Sequence, residues 1–267
     1  MTDKLITIPF LELIKRSFNN VLLNSEYFVK IAIIPVLGLS LIAMLNLNPL
    51  ITMLFSGMGA IFISVYWCRK IILNENVDKD NLYLKQIWNY MCKYMMFILI
   101  FLAPAIIITA ISAALNYAAI KTAENAYTLY TIPVLVTLVI SFFCVRLRMA
   151  LAAVAVDDQE LGFKLAFKLS QGNTTRLFFA IIIVIMPVSI ILQILASLYG
   201  FFESNIILQF IWNLLFYGVN MLSAAFYASY DAHVYQYFSY FYHKAIEDFE
   251  AREAGKLMEE KIKARRE

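Results

Sequence analysis

The chain has 267 residues, of which 62% are hydrophobic and 15% charged, with a formal net charge of +3. A water-soluble domain carries ~25% charged residues, so this composition and a mean hydropathy of +0.72 exclude one. The apolar residues gather in blocks of roughly 17 to 26, the length a helix needs to cross a bilayer, and predict an integral membrane protein.

In chain order, the first 26 residues hold no apolar core and no small-residue cleavage site, so no removable signal peptide is expected. "PFLELIKRSFNNVLL" puts Phe10, Leu13, Ile14, Phe18 and Val21 on one helical face beside Lys15 and Arg16. Such a helix lies flat in the interface, with its apolar face in acyl chains and Lys15 and Arg16 on anionic headgroups. Spans follow at 29–47 and 49–68, joined at Asn48. Asn74 to Asn81 lacks the central glycine and closing glutamate of a calcium loop and reads as a solvated turn. "LYLKQIWNYMCKYM" is a second amphipathic stretch, and it precedes a third span at 95–119. A short connector over Lys121 to Thr128 leads to a fourth span at 129–148, whose helix continues to Val156. "LGFKLAFKLS" is a third amphipathic stretch; spans at 177–199 and 206–230 are then joined over Gly200 to Asn205. The run "HVYQYFSYFYHK" predicts an aromatic belt at the inner interface, with His233 and His243 solvated beyond the last span. Residues 1–250 thus form a six-helix transmembrane domain, and 251–267 a charged tail open to a protein partner.

Every lysine and arginine except Lys121 lies in the termini, the longer connectors or the span ends that adjoin them. The positive-inside rule then places both termini and those connectors in the cytoplasm, and the isoleucine-, asparagine- and lysine-rich usage points to an AT-rich bacterial genome. Cys68, Cys92 and Cys144 fall near the cytoplasmic ends of spans, where disulfides do not persist. Each odd span carries an internal proline, Pro35, Pro104 or Pro187, with a cation nineteen residues earlier at Arg16, Lys85 or Lys168. The fold class expected is all-α: six transmembrane helices in three repeated hairpins, with a cytoplasmic interfacial helix before each odd span.

Arg146 and Arg148 stand in one apolar stretch, two positions and hence ~200° apart on a helix. Arg148 shares a face with Thr137, Ser141, Cys144, Ala152 and Ala155, whereas Arg146 shares one with Leu135, Val139 and Phe142. Small and polar residues mark helix contacts in membranes. Arg148 is therefore expected to face the bundle and Arg146 to face lipid headgroups. The sixth span carries a polar stripe, Asn213, Tyr217, Asn220, Tyr227 and Asp231, and Asp231 at its inner end is the partner expected for Arg148. Thr109, Ser112, Asn116, Ser189 and Gln193 are further polar span residues, read as interhelical hydrogen-bonding groups or the lining of a path. Away from the inner boundaries no span holds Asp, Glu, Lys or His, which argues against an ion-coupled carrier. The sequence holds no phosphate loop, nucleophile elbow, zinc-protease motif or dinucleotide fingerprint. No enzyme, cofactor, metal or nucleic acid is implied.

The stretch "DDQELGFKLAFKLSQGNTTRLF", Asp157 to Phe178, resembles a group of bacterial inner-membrane proteins. The group includes the YciC-like proteins and the membrane domain attached to some glycerophosphodiester phosphodiesterases. The matching positions are Ala166, Ser170, Gly172, Asn173 and Arg176. The resemblance implies a six-span inner-membrane fold and no particular activity. The expected role is non-enzymatic, in membrane or lipid organisation or envelope maintenance, with anionic lipids of the cytoplasmic leaflet as partners. The alternative is a transporter or channel for a small neutral or amphipathic solute.

Overall fold

The computed structural model describes residues 7–45, 48–76, 83–117, 135, 137–202 and 205–264. Nine α-helices occur among them, and no strand: α1 (Phe10–Leu23), α2 (Ser25–Met44), α3 (Pro49–Leu73), α4 (Leu84–Tyr117), α5 (137–144), α6 (Met149–Ala155), α7 (Phe163–Leu169), α8 (Thr174–Leu198) and α9 (Ile206–Ala264). Six segments are long and apolar enough to cross a membrane: Ser25–Met44, Pro49–Leu73, Leu84–Pro104, Thr137–Ala155, Thr174–Phe201 and Ile206–Lys244. The chain is thus built as a multi-pass membrane protein. The expected connector at Lys121 to Thr128 and the outer part of the fourth span lie outside the described residues.

Local signals set several helix ends. Asn48 accepts a hydrogen bond from the Leu50 amide at 2.9 Å, and Pro49 occupies the first helical position, where its missing N–H is not needed. Asn205 caps α9 in the same way, through the Ile207 amide at 2.9 Å. Pro35, Pro104 and Pro187 all lie inside their helices. Each removes one backbone donor, which neighbouring helices can offset in a membrane.

The core is arranged around α9, which packs on α1, α2, α3, α6 and α8. Its buried face carries Met221, Ala225, Ala228, Ser229, Ala232 and Val234. Residues this small let helix backbones approach closely and gain dispersion contact where no hydrophobic force acts between helices. Gly59 serves the same purpose on α3. A Cβ there would sit 3.2 Å from Met221 Sδ and 3.4 Å from Pro35 Cβ, so the glycine fixes how closely α2, α3 and α9 meet. Helix α6, "MALAAVA", is buried on nearly every side between α3, α4 and α9, which its run of alanines allows.

Four expectations change. The second amphipathic stretch is not a separate interfacial helix: it runs without a break into the third span as α4. Only α1, ended at Asn24, and α7, ended at Ser170, are separate elements. Second, the apolar face of α1 does not lie in acyl chains. Leu13 and Val21 are buried against α8 and α9, because a packed bundle surface offers that stripe denser contact than lipid does. Third, the last span does not stop at 230. Helix α9 has 59 residues, roughly 88 Å at 1.5 Å per residue, far more than a bilayer. Tyr235 and Phe238 of the expected aromatic belt, with Val234, are buried in the bundle, whereas Tyr240 is 61% exposed. The backbone shows no break at position 250 either; the side chains of 247–264 lie outside the described residues. Fourth, the helix through Arg146 is not continuous. Residues Val145–Leu147 tighten into a 3-10 turn between α5 and α6.

Candidate functional site

The polar side chains collect at one end of the bundle, where α3, α6, α7 and the buried stretch of α9 meet. Arg148 and Asp231 form a bidentate pair there, with Nε donating to Oδ1 at 2.7 Å and Nη2 to Oδ2 at 2.8 Å. Asp231 is 1% exposed and the Arg148 side chain 16%. The guanidinium also lies over the Tyr227 ring, 4.6 Å from its centroid. Cys68 and Tyr90, both buried, lie close enough to couple electrostatically to the pair. The fork-to-fork geometry satisfies both carboxylate oxygens with charge-assisted bonds, which is what makes a charge tolerable at this burial.

Arg146 is not at the lipid surface. It is 8% exposed. Its Nε donates to Ser170 Oγ at 3.1 Å, its Nη2 donates to the Phe167 carbonyl, and the guanidinium stacks on the Phe167 ring at 3.6 Å. The Phe167 carbonyl belongs to the last turn of α7, where carbonyls lack helical partners and a cation is favoured. Helix α7 and the Ser170 that follows it fold against the 3-10 turn and cover the arginine. Lys15 and Arg16 are exposed on α1, and Arg16 is paired with Glu12 one turn away.

The positions that carry the family resemblance all have structural duties. Ala166 and Ser170 are fully buried, and Ser170 Oγ donates to the Ala166 carbonyl at 2.8 Å while accepting from Arg146. Gly172 has φ 81°, a left-handed conformation that glycine adopts without strain and that ends the turn after α7. Asn173 Oδ1 accepts from the Ile8 amide at 3.0 Å, and Arg176 Nη1 donates to the Ile8 carbonyl at 3.1 Å. Asn173 is 1% exposed, so this asparagine anchors the N-terminal segment. Asp158 Oδ2 accepts from the Tyr235 hydroxyl at 2.9 Å, and Asp158 Oδ1 from the Glu160 amide at 3.0 Å.

A second cluster closes on Arg69. Its Nε and Nη2 grip both oxygens of Glu75 at 2.7 and 3.0 Å. Its Nη1 donates to the Ala155 carbonyl at 3.0 Å and to Asp157 Oδ2 at 3.4 Å. The Tyr83 ring covers it at 4.3 Å, and the Tyr83 hydroxyl donates to Glu75 at 2.8 Å. Gln86 adds a bond to Asp157 Oδ2 at 2.7 Å. The "NENVDKDN" turn therefore begins as a clasp between α3 and α6, with Asn74 in the left-handed region at φ 55°; residues 77–82 lie outside the described residues. The Arg69 hydrogen bond holds the Glu75 carboxyl below the usual carboxylate range. Stability from this bond is fully present above the ordinary carboxylate pKa and is lost as pH falls through the depressed folded value. Acidifying below about pH 4 will therefore lower the melting temperature of the native protein more than that of Glu75→Gln; equal pH profiles for the two would refute the coupling.

Sequence reasoning missed His233. It is 7% exposed, with Nδ1 2.6 Å from the Ser229 carbonyl and Nε2 3.0 Å from Asn20 Nδ2. A carbonyl only accepts, so Nδ1 carries the proton and Nε2 accepts from the amide. Asn24 Nδ2 donates to Asn20 Oδ1 at 3.1 Å, which orients that amide. The ring is a neutral link between α1 and α9. The recurrence of Met221, Ala225, Ala228, Ala232 and Tyr235 at helical spacing was the available signal, since it carries the buried face past residue 233.

The sixth-span stripe serves mainly to join helices. Asn220 Nδ2 donates to Ser56 Oγ at 2.9 Å, tying α9 to α3, while Asn213 and Tyr217 are buried. The side chains of Thr109, Ser112 and Asn116 lie outside the described residues. Ser189 and Tyr227 instead line a cleft of about 570 Å³. Its walls are Phe97, Ile98 and Phe101 of α4 on one side, and Ile181, Ile185 and Met186 of α8 on the other. Arg148, Cys144 and Val145 lie along it. The cleft thus lies between the third and fifth candidate spans, beside the inner end of the fourth. No group of three or more His, Cys, Asp or Glu side chains with metal-binding proximity occurs among the described residues.

Comparison with protein-family models, with curated proteins and with solved structures finds no match.

Proposed function

We propose that this chain is a non-enzymatic multi-pass protein of a bacterial cytoplasmic membrane that acts on the lipids of its own bilayer, in lipid organisation or envelope maintenance. Both termini and the basic end of the bundle face the cell interior in this reading, as the distribution of lysine and arginine favours. The resemblance of the Asp157 to Phe178 stretch to the YciC-like group favours the same membrane.

The carrying observation is the cleft between α4 and α8. Its lining is predominantly apolar and is drawn from candidate spans. A lipid tail can enter it without leaving the hydrocarbon, whereas a soluble solute would cross apolar surface to reach it. The polar groups a solute path would need are largely committed elsewhere: Asn220 to Ser56, and Asp231 to Arg148. Asp231 and the clusters around Arg69 and Arg146 spend their hydrogen bonds on holding helices together, which supports a non-enzymatic role.

Native mass spectrometry of the protein released with its own lipids tests this. The expected result is one tightly held lipid per chain, displaced by Ser189→Trp, which fills the cleft. A retained soluble metabolite, or lipid retention that Ser189→Trp leaves unchanged, would overturn the reading.

A further inference from the structure

We infer that the cleft takes an amphiphile whose head is an uncharged carbonyl oxygen, held by the outward edge of the Arg148 guanidinium. The inference rests on the lipid-binding reading above and names the chemistry of the ligand. Asp231 engages Nε and Nη2 of Arg148, and among the described residues Nη1 has no hydrogen-bond partner. It is not sealed in protein either, because Trp67 Nε1 is the one fully enclosed side-chain nitrogen or oxygen without a partner among those residues. Arg148 lines the cleft and Asp231 does not. The open part of the guanidinium is therefore an unused N–H donor pair at the wall of an otherwise apolar space.

The charge of the ligand follows from the pairing. Arg148 and Asp231 together are neutral, and the cleft meets the positive end of that dipole. An anionic head entering hydrocarbon loses its hydration and recovers only a dipole's attraction in return, not that of a whole cation. A carbonyl loses far less on entering and still gains a charge-assisted bond. Tyr94, Ser189 and Tyr227, each with a hydroxyl, also line the cleft. The ring of Tyr227 already lies against the guanidinium, which keeps that group in place before a ligand arrives. A volume of 570 Å³ falls inside the ~300–1,000 Å³ range of sites for small organic ligands. It holds a head and the first part of a tail, the rest of which runs out between α4 and α8. Two sources carry this chemistry: an ester carbonyl, as in a monoacylglycerol, and a ring carbonyl, as in an alkyl quinone.

The test is retention, read by native mass spectrometry in detergent, of three probes: a monoacylglycerol, a decyl-substituted benzoquinone and a phosphatidylglycerol. The native chain is expected to hold one of the two neutral carbonyl probes about tenfold more tightly than the anionic phospholipid, and which one it holds identifies the source. Arg148→Lys keeps a charge opposite Asp231 but loses the second donor edge, and it should release the neutral probe by about the same factor. Ser189→Trp, which leaves the ion pair untouched, should exclude the probe altogether. Melting temperatures of both variants verify that they are folded. Neutral probes held as tightly by Arg148→Lys as by the native chain would overturn the role of the arginine. Preference for the phosphatidylglycerol would overturn the uncharged head while leaving lipid binding intact. Loss of all three probes, with no native lipid retained, would remove both readings.

Discussion

Replacing Asp231 by leucine is expected to cost about 3–5 kcal/mol of stability, the largest effect of any single substitution considered for this protein. The carboxylate satisfies two guanidinium bonds from a position 1% exposed. Without it, Arg148 keeps a full charge among Cys68, Tyr90 and Tyr227, with only the Nη1 edge open to the cleft. Arg148→Met should cost a similar amount by stranding the carboxylate. The double variant Arg148→Met/Asp231→Leu should recover most of that loss, since it removes both charges and replaces them with apolar groups of comparable size. Thermal unfolding of the four proteins in one detergent gives the coupling energy directly. Costs that simply add in the double variant would show that the pair contributes no mutual stabilisation, and that both groups are solvated well enough to stand alone.

Breaking the other buried cluster, by Arg69→Met, should cost less, at about 2 kcal/mol. The Arg69 side chain is even more buried than that of Arg148, 10% against 16% exposed, but Glu75 and Asp157 are 35% and 41% exposed. Those carboxylates recover water when the arginine is removed, so the orphan-charge penalty that makes Asp231→Leu severe is much reduced. What remains is the Ala155 carbonyl, which loses its donor at the end of α6, and the stacking of Tyr83. The change should therefore loosen the 74–83 connector more than it lowers global stability. Limited proteolysis reads this: faster cleavage between α3 and α4, with a modest fall in melting temperature. Unchanged cleavage there would mean that Arg69 does not hold the connector.

The contrast between the two sites shows how much of this protein was legible from its residues. The pairing of Arg148 with Asp231 was readable because each lay at the same end of its span on a face of small or polar residues. Arg146 defeated the same reasoning. Its outward direction was computed on a continuous helix, and a three-residue 3-10 turn breaks that helix at the arginine itself. Its partners, Phe167 and Ser170, sit on α7, whose fold-back no local pattern in α5 announces. His233 failed for a related reason. An apolar window ended near residue 230, but the buried face continued through Ala232, Val234, Tyr235 and Phe238, interleaved with Asp231, His233 and Gln236, which lower the mean hydropathy. The clasp around Arg69 was out of reach because Glu75 and Asp157 lie in separate connectors, and only the ends of α3 and α6 bring them together.

Composition along the chain therefore determined what depends on transfer from water to hydrocarbon: six apolar stretches, prolines held within three of them, and cations kept to the ends. That free energy is a sum over local residues and needs no knowledge of neighbours. Only the tertiary structure decided which element each polar group meets, where α4 runs on without a break, how far α9 stays buried, and that a cleft opens between α4 and α8. Those outcomes depend on surfaces brought together from distant parts of the chain, and a hydrogen bond or a packed face has no energy until its partner is in place.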